Sequence, residues 1–202
     1  MENGILRSVA SEIANSAAQK GLRTAGVILA GSVFVAVSSH IAVPLWFTPV
    51  PLTLQPLAVL LLGLLLGPRL AAATLGAYLL EGAAGLPVFA PGFALGAGMA
   101  HLLGPTGGYL MSYPAAVALV SWMWRRSARG FGAAIMSAAA GDALILLCGF
   151  AWLAVWTHGA SSQWSIASAF SLAVLPFLPG DALKVVAAGA IVKGLDRTRR
   201  KQ

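Results

Sequence analysis

The chain has 202 residues, of which 58% are hydrophobic and only 9% charged, and its formal net charge is +7. A soluble domain carries about 25% charged residues, so this chain cannot cover itself with a polar surface; it reads as an all-α integral membrane protein. The positive balance does not point to nucleic acid, because Lys and Arg collect in short stretches between apolar segments, as the orientation of membrane helices requires.

In chain order, residues 1–23 are moderately polar, with Ile5, Leu6, Val9, Ile13 and Ala17 on one helical face. This predicts a short cytoplasmic helix lying at the membrane surface. The first long apolar run starts near Ala25 and further runs follow it, so the N-terminus does not read as a secretory signal. Hydropathy predicts six spans, at about 25–43, 53–67, 69–84, 107–124, 131–157 and 166–194. The second and third are shorter than the roughly 20 residues that a perpendicular helix needs. Pro176 and Pro179 in the sixth remove backbone donors and predict a break or kink. The organisation is therefore an interfacial segment (1–24), a six-helix membrane domain (25–194) and a basic tail (195–202).

The basic residues set the orientation. Arg7, Lys20 and Arg23 precede the first span, Arg69 joins the second to the third, and Arg125, Arg126 and Arg129 join the fourth to the fifth. Lys193, Arg197, Arg199, Arg200 and Lys201 close the chain, whereas the connections 44–52, 85–106 and 158–165 contain no Lys or Arg. Both termini are thus placed in the cytoplasm, the parity that six spans demand.

Lys184 alone stands outside this pattern. It lies in Leu178-Pro179-Gly180-Asp181-Ala182-Leu183-Lys184-Val185-Val186, between apolar stretches. A charge at the centre of a membrane helix costs roughly 2.5–3.5 kcal/mol even on insertion scales, so such residues mark substrate or ion sites. Lys184 precedes Lys193 by about 14 Å of helix, which puts it near the middle of a core about 30 Å thick. Pro179-Gly180 punctuates the chain, and Asp181 stands where a helix N-cap belongs. A half-helix starting there would add its positive end to the Lys184 ammonium and make a site for a carboxylate. The competing reading is a self-satisfied structural ion pair. It leaves unexplained the connection from Gly85 to Gly108, which is rich in Gly, holds Pro87, Pro91 and Pro105, and carries almost no polar side chains. Such a connection fits a lid folded over a cavity, since non-helical backbone at membrane depth must be buried in protein or face water.

Glu81, at the outer end of the third span, faces either that cavity or water, and Asp142 in the fifth is either functional or a helix–helix hydrogen-bonding group. Catalysis has little support. His40, His101 and His158 are isolated, so no metal cluster is expected. Cys148 cannot form an internal disulfide, and no Ser or Cys nucleophile has a partner base within a span. Gly104-Pro105-Thr106-Gly107-Gly108 lacks the Gly-Lys-Ser/Thr of a phosphate loop. No cofactor motif is present. In the first span, Gly26 with Ala30, and Ser32 with Ala36, set small residues one turn apart, a weak signal for close helix approach.

Four ordered motifs resemble the BioY family: Pro49-Val50-Pro51-Leu52-Thr53-Leu54-Gln55, Tyr78 through Gly85-Leu86-Pro87-Val88-Phe89-Ala90, Leu103-Gly104-Pro105-Thr106-Gly107-Gly108-Tyr109, and Pro179-Gly180-Asp181-Ala182-Leu183-Lys184. The likeness runs from about residue 25 to 194. It implies the six-helix fold of the biotin-binding subunits of energy-coupling-factor transporters, with biotin as ligand and no catalytic activity. It implies further that Asp181 and Lys184 contact biotin, whose carboxylate suits Lys184, and that Thr53, Gln55, Phe89, Thr106 and Tyr109 line or cover the pocket. Family members often carry a polar lid residue such as Asn. Pro91 to Gly98 offers none here, leaving Glu81 or backbone groups to compensate. The patches at Gly26, Ala30, Ser32 and Ala36 resemble the surface that docks a transmembrane coupling protein, itself driven by ATP-binding subunits. The implied setting is the lipid of a bacterial plasma membrane, with no nucleic acid and with self-association open. A subunit of the same architecture for another vitamin, or a membrane enzyme using Asp181, Lys184 and Glu81, are the alternatives.

Overall fold

The computed structural model describes residues 2–91, 98–160 and 165–199. Helix α1 (Glu2–His40) leads into a pair of two-residue strands, β1 (Ala42–Val43) and β2 (Leu52–Thr53), and then α2 (Gln55–Leu65) and α3 (Pro68–Ala83). A single-turn helix α4 (Met99–Leu102) precedes α5 (Gly107–Arg126), α6 (Phe131–Ala160), α7 (Ile166–Ala173) and α8 (Leu178–Arg199). Most of the chain is helix. Its sheet is the antiparallel pairing of Ala42 with Thr53 and Val43 with Leu52, extended by Leu54 N donating to Ile41 O at 3.1 Å.

Each expected span corresponds to helix, with changes at the ends. α1 runs unbroken from Glu2 to His40, so no turn separates the expected surface helix from the first span. By length and apolar character, Asn15–His40 and Phe131–Trp156 each qualify as a complete crossing among the described residues. The expected sixth span is α7 followed by α8, bent by 44°. The break falls at Val174–Phe177, and Pro179 sits in the first turn of α8, where its missing N–H has no helical partner to lose. Asp181 is consequently not an N-cap. It lies within the first turn, and its own N–H donates to Phe177 O at 2.8 Å.

α5 is the central helix, packed against α6, α3 and α2; α6 continues to α8 and α7, and α1 lies on α3 and α2. Close approach of α5 to α6 depends on Gly108. A Cβ there would meet Trp152 Cβ at 2.2 Å and Cys148 O at 2.6 Å. Leu60, Val120, Trp124, Ala138, Ala188 and Val192 pack one part of the core, and Leu75, Tyr78, Val117, Ile145 and Leu153 pack the rest. Ser121 Oγ donates to Leu66 O at 2.6 Å and holds the α2–α3 corner against α5. Arg125 lies beside Gly67, and Lys193 Nζ donates to Arg129 O at 3.0 Å. The α2–α3 corner, the α5–α6 corner and the last turns of α8 therefore gather at one basic end of the bundle.

Candidate functional site

A cavity opens among α2, α5, α6, α8, the β2 strand and the residues around α4. The empty space between its walls, open mouth included, is about 540 Å3. Val50, Pro51, Pro56, Leu110, Ile145, Leu146 and Phe177 give it apolar walls. Polar groups enter from three directions: Thr53 and Gln55 from the start of α2, His101 and Thr106 from the stretch before α5, and Asp181 with Lys184 from α8. Tyr109 and Tyr113 complete the wall from α5.

The charged pair is deeply buried. Lys184 Nζ lies 2.7 Å from Asp181 Oδ1, with side-chain exposures of 8% and 4%. The three-residue spacing along α8 puts both on one face and makes this contact local. An ammonium has three donors, and the contact with Asp181 engages one of them, so Lys184 retains hydrogen-bonding capacity toward the cavity.

Beside the cavity, a hydrogen-bond chain joins four parts of the fold. Gln55 Nε2 donates to Tyr78 Oη at 2.6 Å, and Tyr78 Oη donates to Val88 O at 2.9 Å. Ser39 Oγ from α1 donates to the same carbonyl at 2.8 Å. Thr53 Oγ1 accepts from Gln55 N at 3.3 Å and so positions the amide side chain at the head of α2. Tyr109 Oη donates to Ala173 O at 2.7 Å, which ties α5 to the end of α7 just before the break. Thr106 precedes α5 without a side-chain capping bond and presents its hydroxyl beside the cavity.

Two expected site residues lie elsewhere. Phe89 is buried behind the wall, edge-on to Tyr78 (5.5 Å, 81°) and stacked on His101 (5.1 Å, 28°), while His101 and Ala90 form the lining. Glu81 does not line the cavity either: its carboxylate accepts a hydrogen bond from Ser32 and ties α3 to α1. The small residues of α1 also divide. Gly26 and Ala30 are exposed, whereas Ser32 is fully buried and Ala36 packs against the core. Six residues at about 100° each turn Ser32 some 120° away from Gly26, so the two patches cannot share a face. Gly31 marks the buried side, since a Cβ there would meet Thr74 Cγ2 at 2.6 Å.

Residues 92–97, where the lid was expected to lack a polar contact, lie outside the described residues. Tyr113, His101 and Phe177 were not anticipated in the lining. Tyr113 had a legible signal, since it follows Tyr109 by one helical turn; His101 and Phe177 had none. Burial holds the His101 imidazole below its usual range. Asp142 lies beneath the wall, and its Oδ1 has no hydrogen-bond partner among the described residues. No group of three or more His, Cys, Asp or Glu side chains is placed to hold a metal among those residues.

Comparison with known proteins decides the family. Residues 11–201 match the BioY family. This chain belongs to the BioY family. It is 40% identical over 147 residues to a probable biotin transporter from Pyrococcus horikoshii, covering 73% of this chain and 81% of that one. It is 32% identical over 178 residues to a biotin transporter from Lactococcus lactis subsp. cremoris, covering 86% and 92%. A biotin transporter from Thermotoga maritima is 34% identical over 163 residues, covering 81% and 89%. The crystal structure of the S-component for biotin from an ECF-type ABC transporter superposes with a TM-score of 0.76 over 91% of this chain and 94% of that one. At 24% identity, that superposition establishes the shared fold. The relatives are transporters, in agreement with the absence of a catalytic constellation in the sequence.

Proposed function

We propose that this BioY-family protein binds biotin and carries it across the plasma membrane as the substrate-specific subunit of an energy-coupling-factor transporter. The observation that carries the reading is the buried Lys184–Asp181 pair at the wall of an otherwise largely apolar cavity, in a chain 40% identical to a probable biotin transporter. Biotin has an apolar valerate chain, a carboxylate and a hydrogen-bonding ureido ring. Lys184 meets the carboxylate and Asp181 orients Lys184. Tyr109, Tyr113 and Phe177 flank the chain, and Thr53, Gln55 and Thr106 offer neutral hydrogen bonds. Phe89 supports the wall through His101, and Glu81 acts structurally through Ser32.

Ligand enters from the side opposite the basic end, and the 85–106 connection closes over it. Release to the cytoplasm follows movement of the whole subunit, driven by partner ATP-binding subunits through a transmembrane coupling protein. The exposed face of α1 suits that partner: Gly26 and Ala30 lie among the exposed Leu22, Leu29, Val33 and Val37, and small residues permit close helix approach. Equilibrium binding of labelled biotin to the purified protein tests the reading. Saturable binding displaced by biotin and not by other vitamins is expected, and absence of binding refutes it.

A further inference from the structure

The buried ionisable groups of the bundle do not balance. α8 contributes Asp181 and Lys184 and α6 contributes Asp142, with exposures of 3%, 7% and 7%. Lys184 is committed to Asp181 at 2.7 Å, whereas Asp142 Oδ1 is buried with no hydrogen-bond partner among the described residues. Asp142 precedes Ile145 and Leu146, two residues of the cavity wall, by one helical turn. It therefore lies just beneath the cavity, within electrostatic reach of both Asp181 and Lys184. Among the other elements packed on α6, α5 brings the phenol of Tyr113 into reach, with Tyr109 next to it, and α2 and α7 carry no titratable side chain. Lys184 is the one cation of this group.

We propose that Asp142 takes up a proton from the medium when a ligand carboxylate enters the cavity, so that capture of an anionic ligand is coupled to proton uptake. The inference rests on the reading that the ligand is an acid such as biotin. With Asp142 ionised, two carboxylates face one ammonium before binding, and the ligand makes three. Lys184 has donors enough for Asp181 and the incoming carboxylate. It has no means of compensating a third anion in apolar surroundings, where an unpaired ion neutralises by changing its protonation. The proton goes to Asp142 because Asp181 keeps the ammonium in direct contact and Asp142 has no such partner. Protonation also converts Asp142 from an acceptor-only group into a donor, able to use a carbonyl of the preceding turn.

Calorimetric titration of the purified full-length protein with biotin, repeated in buffers of different ionisation enthalpy, counts the protons taken up per ligand bound. Between about pH 6 and 8, the wild type is expected to take up a fraction of a proton rising to about one. Its affinity then falls by up to about tenfold per pH unit as pH rises. Asp142→Asn is expected to bind biotin without proton uptake and with pH-independent affinity, and an uncharged biotin amide is expected to draw no proton into the wild type. Biotin binding by the wild type without proton uptake across this range overturns the proposal. So does unchanged uptake in Asp142→Asn, and the wild-type measurement decides even if that variant fails to fold. A wild type that binds no biotin at all refutes instead the ligand assignment, and this inference with it.

Discussion

Removing the charges of the Lys184–Asp181 pair singly and together separates a binding site from an internal strut. Lys184→Met leaves the Asp181 carboxylate, 3% exposed, without its partner, and breaking a buried pair in this way costs about 3–5 kcal/mol. The double variant Asp181→Leu/Lys184→Met removes both charges and fills the volume with apolar atoms, so stability should return to within about 1 kcal/mol of the wild type or exceed it. Affinity follows a different course. Loss of one charge-assisted hydrogen bond to the biotin carboxylate removes about 1.5–3 kcal/mol, or roughly 10- to 150-fold in Kd, and the double variant does not recover it. Thermal unfolding in detergent reads the first quantity and equilibrium binding of labelled biotin reads the second. Biotin affinity in the double variant within threefold of the wild type would refute the anion-site argument and leave the pair as structure alone.

Three further outcomes are expected. Gly108→Val places its Cβ 2.2 Å from Trp152 Cβ and should destabilise the bundle by about 1–3 kcal/mol, whereas Gly21→Ala, with nothing within 4 Å, should leave the melting temperature unchanged or slightly raised. Tyr109→Phe deletes the 2.7 Å bond to Ala173 O and should cost about 0.5–1.5 kcal/mol in unfolding measurements, with weaker biotin binding as the α7–α8 break loosens. Because burial holds the His101 imidazole below its usual range, the unfolded chain takes the proton first on acidification. Stability should therefore decline as pH falls through about 6.5 and level off below the folded value, and melting curves of His101→Gln should lack this component.

Much of the site was legible because its signals are local. Asp181 and Lys184 lie one turn apart in an apolar run, so their contact needs only a helix. Thr53 and Gln55 follow a Pro-rich connection at the start of the short α2, where Gln55 N donates to Thr53 Oγ1. Where the sequence left the outcome open, a tertiary contact decided it. Glu81, like Asp142, is an acid in an apolar run, yet it meets Ser32 on α1, while Asp142 Oδ1 meets no hydrogen-bonding group among the described residues. Phe89 packs behind His101, while Ala90, next in the chain, reaches the cavity lining.

By itself the sequence determined that the chain is a bundle of apolar helices, in what order its spans run, and that one lysine breaks the pattern of the other basic residues. These follow from composition and spacing, which act through the transfer of each segment out of water and need no partner. The tertiary structure decided which faces meet: that α1 turns Ser32 inward and Gly26 outward, that Asp181 lies inside the first turn of α8 and not at its cap, and that Asp142 lies under the cavity beside a lysine already engaged. Rotation of a helix about its axis is set by close contacts with its neighbours, such as Gly108 against Trp152 and Gly31 against Thr74, and those contacts exist only once the bundle is assembled.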